Sequence, residues 1–379
     1  LAQLSADDVP FTGRTIRIDG RELVNFVTCS YLGLELDPRV IRAIGAGAER
    51  YGASFALSRA FVSAAPYSEL EQRFERIFDA FPVIAPTTTL GHLSFVTAMI
   101  ESGDVLLLDA QVHNSVQLAA QVVGDRATVA TVRHNDLRHL ERTIERHLAT
   151  SATGRIWYLA DGIYSMYGDT VPIASLCQLL DRYERLHAYL DDAHGMSVHG
   201  RHGRGFVLGA IEQIHPRMVV AVSLAKSFGI GCGGVLLFPQ ADLQARVRSC
   251  GATLLFSGPL PPPMLAGAIA AADLHLSDEL PQRQAELRER IDAFRDAARD
   301  AGLTSLSSPE SPVQFLLVGQ TKPAMFAAKQ LFEQGFLVNP CTYPAVAKNH
   351  SGLRLTMTRH VEIEDVRDVV RAISHAIRT

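Results

Sequence analysis

Short, uninterrupted apolar runs, separated by stretches of helix length, occupy the middle of this sequence. Such runs predict strands that are buried on both faces, because no alternate position is left for solvent-facing polar residues. The runs are VLLLD at 105–109, ATVATV at 127–132, RIWYLAD at 155–161, AYLDDA at 188–193, MVVAVSLA at 218–225 and GGVLLF at 233–238. The pattern therefore predicts an α/β fold, with a mainly parallel sheet covered by helices.

The two ends of the chain show other patterns. Residues 14–27, RTIRIDGRELVNFV, alternate around an Asp-Gly pair and predict a β-hairpin. After the prolines at 261–263 a long helical pattern begins, and strands near 313–319 and 353–358 precede a final helix. We expect three segments: an N-terminal arm with the hairpin at 1–45, a large domain at 46–265, and a smaller α+β domain with its linking helix at 266–379.

Composition narrows the class of protein. Hydrophobic residues make up 47% and charged residues 20%, which is typical of a globular protein, and the net charge of −4 argues against nucleic-acid binding. No apolar run approaches the roughly 18 residues that a membrane span requires. The five cysteines are scattered and the histidines match no metal-binding spacing. We therefore expect a cytoplasmic protein without a membrane span or a catalytic metal.

Lysine is unusually rare. Only four of the 36 basic residues are lysines, and the first of them, Lys226, is followed by Lys322, Lys329 and Lys348. Arginine cannot act as a nucleophile because its guanidinium does not deprotonate in proteins. A lysine kept where arginine is otherwise used suggests that a primary amine is needed at residue 226, although a residual surface lysine would give the same count.

Polar residues at the ends of the predicted strands are the candidates for chemistry, because ligands of parallel sheets gather at the carboxyl ends of the strands. Asp191 ends the run AYL, where a carboxylate needs a cationic or hydrogen-bonding partner. A protonated pyridine nitrogen would be such a partner, and His194 could reach a hydroxyl of the same ring. The alternative is structural, with Asp191 capping a helix and His194 bonding within a loop.

Lys226 lies just beyond another predicted strand and before the glycine-rich GIGCGG. Burial lowers the pKa of an amine, which favours Schiff-base chemistry. Ser223 could offer its hydroxyl to a phosphate, and glycines would let the backbone approach a cofactor closely. The lysine segment and DDAHG together are more specific than either one alone.

The chain resembles the α-oxoamine synthase family, within the aspartate-aminotransferase fold (fold type I) of pyridoxal-phosphate enzymes. The matching stretches are NFVTCSYLGL, LDAQVHNS, DGIYSMYGDTVPI, DDAHG, GRHGRG, SLAKSFGIGCGG, LLFSGPLPPP and YPAVAKNHSGLRLTMTRH. The resemblance implies a large domain with a mainly parallel seven-stranded sheet and a smaller C-terminal α+β domain. It also implies a homodimer with shared active sites. This enzyme would condense an amino acid with the acyl group of an acyl-CoA, or of an acylated carrier protein, and release carbon dioxide.

The resemblance also implies a role for each motif residue. Lys226 would hold pyridoxal 5'-phosphate as a Schiff base and then act as the base at the amino acid's Cα, and Arg354 would bind the substrate carboxylate. The other cofactor contacts implied are with the ring for His113 and Asp191, with its hydroxyl region for Ser165 and His194, and with the phosphate for Thr88, Thr89, Ser223 and Ser257. Cys29 and Tyr31 would line the substrate site.

Several residues depart from the family pattern. Cys29 and His92 stand where the family has asparagine, Tyr67 stands where it has histidine, and ASFALSR at 53–59 replaces a glycine-rich stretch. These departures favour a specialised member with retained cofactor binding and altered substrate contacts. Other readings are an aminotransferase, aldolase or decarboxylase of the same fold, and a catalytically silent partner subunit. Lys226 argues against the silent subunit, because such subunits typically lack the lysine.

Overall fold

The computed structural model describes residues 3–378. Its strands are β1 (Thr15–Ile18), β2 (Arg21–Asn25), β3 (Phe81–Ala85), β4 (Val105–Asp109), β5 (Thr128–Val132), β6 (Ile156–Asp161), β7 (Leu186–Asp191), β8 (Met218–Ser223), β9 (Gly234–Phe238), β10 (Val313–Gly319), β11 (Phe336–Leu337), β12 (Asn339–Cys341) and β13 (Ser351–Thr356).

The α-helices alternate with these strands through the middle of the chain. They are α1 (Pro38–Tyr51), α2 (Pro66–Phe78), α3 (Thr88–Met99), α4 (Asn114–Gln121), α5 (Leu137–Thr150), α6 (Ile173–Arg182), α7 (Phe206–Gly209), α8 (Ala241–Cys250), α9 (Ala252–Phe256), α10 (Pro262–His275), α11 (Glu279–Asp300), α12 (Thr321–Glu333) and α13 (Ile363–Arg378). No helix within residues 3–378 is long and apolar enough to cross a membrane.

The chain divides into two compact units. The larger unit comprises Asp37–Tyr164 and Val171–Leu280, and the smaller comprises the chain up to Leu36, the short segment Ser165–Thr170 and the chain from Pro281 onward. The smaller unit combines distant segments because β2 pairs in parallel with β11. The predicted segments 1–45, 46–265 and 266–379 are each continuous in sequence, whereas both units combine separate stretches of chain. The predicted boundaries stay predictions.

A seven-stranded sheet, described in full within residues 81–238, forms the centre of the larger unit. Its order is β3-β9-β8-β7-β6-β4-β5. The five strands from β8 to β5 are parallel, and β9 is antiparallel to both β8 and β3. Every residue of β4, β6, β8 and β9 is buried, which confirms the predicted fold class. The carboxyl ends of β6, β7 and β8 consequently lie side by side.

The smaller unit contains two three-stranded sheets among its described residues, with orders β1-β2-β11 and β10-β13-β12. The hairpin between β1 and β2 is confirmed, and its turn residues Asp19 and Gly20 have φ values of 51° and 74°. Two central residues with positive φ suit the twist of a two-residue hairpin, and Asp-Gly is a preferred pair there.

Two parts of the pattern were misread from the sequence. The strand β3, FPVIA, was not predicted, because its proline and its position directly after α2 obscure the apolar run. The single long helix predicted after residue 263 is wrong, since α10 ends at His275 and α11 begins at Glu279. Ser277 separates them by donating to the Leu274 carbonyl at 2.7 Å and accepting from the Glu279 amide at 3.3 Å. A serine hydroxyl in this position competes with the helical hydrogen bonds.

Candidate active site

Lys226 and His194 meet in the larger unit. Lys226 follows the end of β8 by three residues, and its Nζ lies 3.0 Å from Nε2 of His194, which follows β7. His194 is buried and Lys226 is half-buried. Neighbouring parallel strands bring the two loops together, so the sequence prediction that both side chains belong to one site at this edge is consistent with the geometry.

Asp191 ends β7 and is 5% exposed. Its Oδ1 accepts a hydrogen bond from the Ala193 amide at 3.1 Å, and its Oδ2 lies 3.2 Å from Nε2 of His92. Burial alone would raise the pKa of Asp191, but His92 and then Lys226 favour the carboxylate and hold this pKa at about 2. Asp191 is therefore a buried anion at neutral pH.

Asp161 stands beside Asp191, because the register of β6 and β7 pairs these two residues directly. Burial, followed by the negative charge of Asp191, raises the pKa of Asp161 well above its usual range. Its Oδ1 accepts a hydrogen bond from the His113 amide at 3.0 Å. Asp161 thus fixes the loop that carries His113.

His113 caps the N-terminus of α4 and remains exposed. Its Nδ1 lies 2.7 Å from Oγ of Ser115, which fixes the orientation of the ring. An exposed, oriented imidazole is suited to packing against a planar ligand. Its predicted stacking on the cofactor ring stays a prediction.

Asp192, the next residue after Asp191, serves a different purpose. Its Oδ2 accepts from the Val207 amide at 2.9 Å, and an added Cβ at Gly205 would come within 2.3 Å of this oxygen. Burial raises the pKa of Asp192 to about 8. Successive residues at a strand end point to opposite faces, so one carboxylate joins the polar site and the other anchors the GRHGRG loop.

The N-terminus of α3 offers backbone amides to an anion. Thr87 caps this helix by accepting a hydrogen bond from the Leu90 amide at 3.1 Å, which leaves Thr88 and Thr89 in the first turn. Helix N-termini bind phosphate through such amides. Gly234 of β9 packs against this turn, and an added Cβ would lie 2.6 Å from Cα of Thr88. Only glycine allows that approach.

The other predicted phosphate contacts have local partners. Ser223, the last residue of β8, is buried and accepts a hydrogen bond from the Ala225 amide at 3.2 Å. Ser257 follows α9 and donates its hydroxyl to the Thr253 carbonyl. Their roles as cofactor ligands stay predictions.

Arg354 lies on β13 of the smaller unit and is 6% exposed. Its Nε donates to the Ser165 carbonyl at 2.6 Å, and one terminal nitrogen lies 4.0 Å from Sγ of Cys29. Burial opposes the charge, but Cys29 and Tyr31 outweigh it and raise the pKa of Arg354. Within residues 3–378, no carboxylate forms an ion pair with this guanidinium.

Cys29, Tyr31 and Ser165 are thus grouped with Arg354 in the smaller unit. Tyr31 is fully buried, and burial raises the pKa of its hydroxyl well above its usual range. The structure places Ser165 in the short segment assigned to this unit, with its backbone rather than its hydroxyl bonded to Arg354. Its predicted contact with the cofactor hydroxyl stays a prediction.

The donor set of the larger unit fits pyridoxal phosphate. Asp191 is an anion suited to a protonated pyridine nitrogen, Lys226 supplies a primary amine, and the first turn of α3 suits the phosphate. Motif matching missed His92 as the partner of Asp191, and it gave no roles to Asp161 and Asp192. The strand register would have indicated Asp161, whereas nothing in sequence order brings His92 to Asp191. No group of three metal-ligating side chains that could hold a metal ion is found among residues 3–378.

Comparisons with known proteins identify the family. Residues 79–373 match the family model described as aminotransferase class I and II. An 8-amino-7-oxononanoate synthase from Geobacter sulfurreducens is 30% identical over 373 residues, which cover 97% of this chain and 91% of that protein. Another from Maricaulis maris is 29% identical over 382 residues, covering 98% of this chain and 91% of that protein.

Solved structures show the same fold. A serine palmitoyltransferase from Sphingomonas wittichii has a TM-score of 0.90 at 22% identity, covering 99% of this chain and 92% of its own. An 8-amino-7-oxononanoate synthase from Francisella tularensis has a TM-score of 0.78 at 20% identity, covering 94% of this chain and 98% of its own. From this likeness, the matched family model and the identity to the two relatives, we conclude that the chain belongs to the α-oxoamine synthase family of fold type I, pyridoxal-phosphate-dependent acyltransferases that condense an amino acid with an acyl thioester and release carbon dioxide.

Proposed function

We propose that the described residues of this chain divide this reaction between two sets of side chains. The set in the larger unit, Asp191, His194 and Lys226, binds the cofactor and moves the proton. Arg354 of the smaller unit binds the carboxylate of the amino acid. The observation that carries the proposal is the buried anion Asp191 on the same sheet edge as the paired Lys226 and His194.

Bound pyridoxal phosphate supplies an electron sink for the bond that breaks at Cα. Asp191 supports this chemistry because its carboxylate stays ionised and keeps a proton on the pyridine nitrogen by charge attraction. A neutral side chain in its place would leave that proton less strongly held. We therefore assign Asp191 to cofactor binding and electronic control.

Lys226 is the residue that we assign to covalent cofactor attachment and to removal of the Cα proton. Covalent attachment of the cofactor as a Schiff base requires a primary amine, and a base at Cα must be able to lose and regain a proton. Arginine can do neither. The 3.0 Å contact between Nζ of Lys226 and Nε2 of His194 restrains the amine. Proton transfer depends on such positioning.

Arg354 provides the carboxylate site, because its buried guanidinium contacts the Ser165 carbonyl and Sγ of Cys29 and forms no ion pair with a carboxylate of residues 3–378. A planar guanidinium can bind a carboxylate through two parallel hydrogen bonds. Cys29 beside it replaces the family asparagine, and this supports a substrate pair different from that of the standard members. Tyr31 contributes a buried aromatic ring to the same group of residues.

The test is a reaction of the purified, cofactor-loaded protein with a panel of amino acids and acyl-CoA thioesters. Release of free CoA that requires both substrates, together with stoichiometric carbon dioxide, is the expected result. Amino-group transfer without CoA release would instead indicate an aminotransferase. Carbon dioxide without CoA release would indicate a decarboxylase, and aldehyde release would indicate an aldolase. Repeating the panel with acyl groups on an acyl carrier protein distinguishes the two possible donors.

A homodimer is also proposed. Phe61 and Phe256 of the larger unit are 88% and 87% exposed. The segments that carry them are neighbours, since the Ser58 hydroxyl donates to the Leu255 carbonyl at 3.1 Å, and apolar side chains exposed together on one surface suit an interface. Ser257 follows Phe256 directly, so a second copy bound at this surface would lie close to the residue that the resemblance assigns to the cofactor phosphate.

Sedimentation of the wild type should give the mass of two chains, and Phe61→Glu/Phe256→Glu should shift the protein toward the monomer. Phe326→Glu, an exposed phenylalanine of the smaller unit, serves as the matched control and should leave the mass unchanged. A monomeric wild type would overturn this proposal. A cytoplasmic location stays a prediction from the scattered cysteines, all five of which are free within the described chain.

A further inference from the structure

His92 stands behind the proposed cofactor-binding carboxylate. It lies on α3, is completely buried, and approaches two side chains of β7. Its Nδ1 lies 2.6 Å from the hydroxyl of Tyr189, and its Nε2 lies 3.2 Å from Oδ2 of Asp191. Tyr189 and Asp191 are two residues apart on one strand and therefore point to the same face. A single imidazole spans both of them.

The arrangement determines which nitrogen carries the ring proton. Tyr189 is buried, and burial raises the pKa of its hydroxyl, so this group keeps its proton. Nδ1 of His92 lies 2.6 Å from that hydroxyl, so the hydroxyl can donate its proton to Nδ1. When Tyr189 donates to Nδ1, the neutral imidazole carries its proton on Nε2. The donor nitrogen then faces Asp191.

Nε2 of His92 is also a buried nitrogen in need of an acceptor. Within the described chain it has no hydrogen bond of good alignment, and Oδ2 of Asp191 is the acceptor that it approaches. The other oxygen of Asp191 is already held by the Ala193 amide. An amide therefore donates to one oxygen of the carboxylate and the His92 ring faces the other, which restrains the orientation of Asp191 and favours its charge.

We propose that His92 is a positioning residue that, together with Tyr189, orients Asp191 and keeps it anionic for the pyridine nitrogen of the cofactor. The inference rests on the proposed function and adds a residue to it. Asparagine, which the resemblance gives as the family residue at this position, has a shorter side chain. In this chain one nitrogen of the His92 ring faces Tyr189 and the other faces Asp191.

The test measures the equilibrium affinity of the cofactor-free protein for pyridoxal phosphate. His92→Leu preserves the approximate volume and removes both polar contacts. Loss of the polar contact between His92 and the buried charge of Asp191 should weaken cofactor binding about tenfold, and Tyr189→Phe should weaken it about twofold to threefold. His187→Leu is the matched control, because His187 lies at the opposite end of β7, and it should leave the affinity unchanged.

A double-mutant cycle separates positioning from packing. If His92 acts through Asp191, then His92→Leu should have less than about a twofold effect once Asp191→Asn is present. An equal loss in both backgrounds, or no loss in the wild-type background, would overturn the inference. His92→Asn, which retains an amide donor, should fall between the wild type and His92→Leu, and it keeps the test valid if the leucine variant does not fold.

Different results would overturn the proposed function and the role of His92. A wild-type protein that does not bind pyridoxal phosphate would overturn both proposals. A wild type that binds the cofactor and releases CoA, with no coupling between residues 92 and 191, would overturn only the role of His92.

Discussion

Two buried charges in this protein are surrounded very differently. Asp191 of the larger unit accepts a hydrogen bond from the Ala193 amide at one oxygen and lies 3.2 Å from Nε2 of His92 at the other, and Lys226 adds positive charge nearby. Arg354 of the smaller unit has a backbone carbonyl and a thiol, and no carboxylate pairs with it among the described residues.

This difference in surroundings matches the two ligands that we propose, a cofactor that stays bound at Asp191 and a substrate that binds Arg354 in each turnover. A buried charge needs compensation to be stable. Asp191 is compensated within the protein, so its position is fixed before any ligand binds, as suits a resident cofactor. Arg354 is compensated only partly, so an incoming carboxylate gains a full charge partner. Such an arrangement suits a substrate that binds and leaves in each turnover.

The largest effect is expected for Lys226→Ala. Loss of the amine removes the covalent attachment and the base, and general-base contributions alone reach about 10²–10⁴-fold in rate. Borohydride reduction of the cofactor-loaded wild type, followed by peptide mapping, should label Lys226. Lys329→Ala, an exposed lysine of α12, is the control and should keep full activity. Retained turnover in Lys226→Ala would remove the central assignment.

Arg354→Lys tests whether the buried charge of the smaller unit binds the amino acid. An ammonium cannot form the paired hydrogen bonds of a guanidinium, so amino-acid affinity should fall by about 10–100-fold. Affinity for pyridoxal phosphate should change less than about twofold. Spectral titration of the loaded protein measures the first quantity, and Arg299→Lys on the exposed surface of α11 is the control. An unchanged amino-acid affinity would contradict the role of Arg354.

Asp191→Asn tests whether the buried charge of the larger unit acts on the cofactor. Removing the negative charge while keeping the shape should weaken cofactor binding about tenfold and slow exchange of the amino acid's Cα proton with solvent. Cα exchange can be followed by nuclear magnetic resonance in deuterated water. Normal exchange would show that the charge at residue 191 does not control the electron sink.

The smallest effect is expected at Asp192. Its pKa of about 8 lies above the ordinary value near 4, so the folded protein holds a proton that the unfolded chain has lost. The stabilisation is therefore present below about pH 4 and is lost as pH rises toward 8. Asp192→Asn removes this dependence, so its melting temperature relative to the wild type should rise by at least about 3 °C between pH 5 and pH 8. A constant difference would contradict the protonated state.

The sequence alone determined the elements with strong local signals. Continuous apolar runs identified six strands of the central sheet, and the Asp-Gly pair identified the hairpin. Adjacent motif residues such as Asp191 and His194 could be assigned to one site because strand ends of a parallel sheet share an edge. The same local reasoning failed where a polar residue interrupts a helical pattern, as Ser277 does between α10 and α11.

The charge states of Asp191 and Asp192 depend on contacts that form only in the folded chain. The two adjacent aspartates of DDAHG look equivalent in sequence, yet one has a pKa of about 2 and the other of about 8. Their environments differ because a strand end directs them to opposite faces, where Asp191 lies beside His92 and Asp192 accepts a hydrogen bond from the Val207 amide of α7. His92 lies 99 residues before Asp191 along the chain (191 − 92 = 99), so no local pattern could pair them. Sequence order determines which groups are present, while long-range packing decides which of them stay charged.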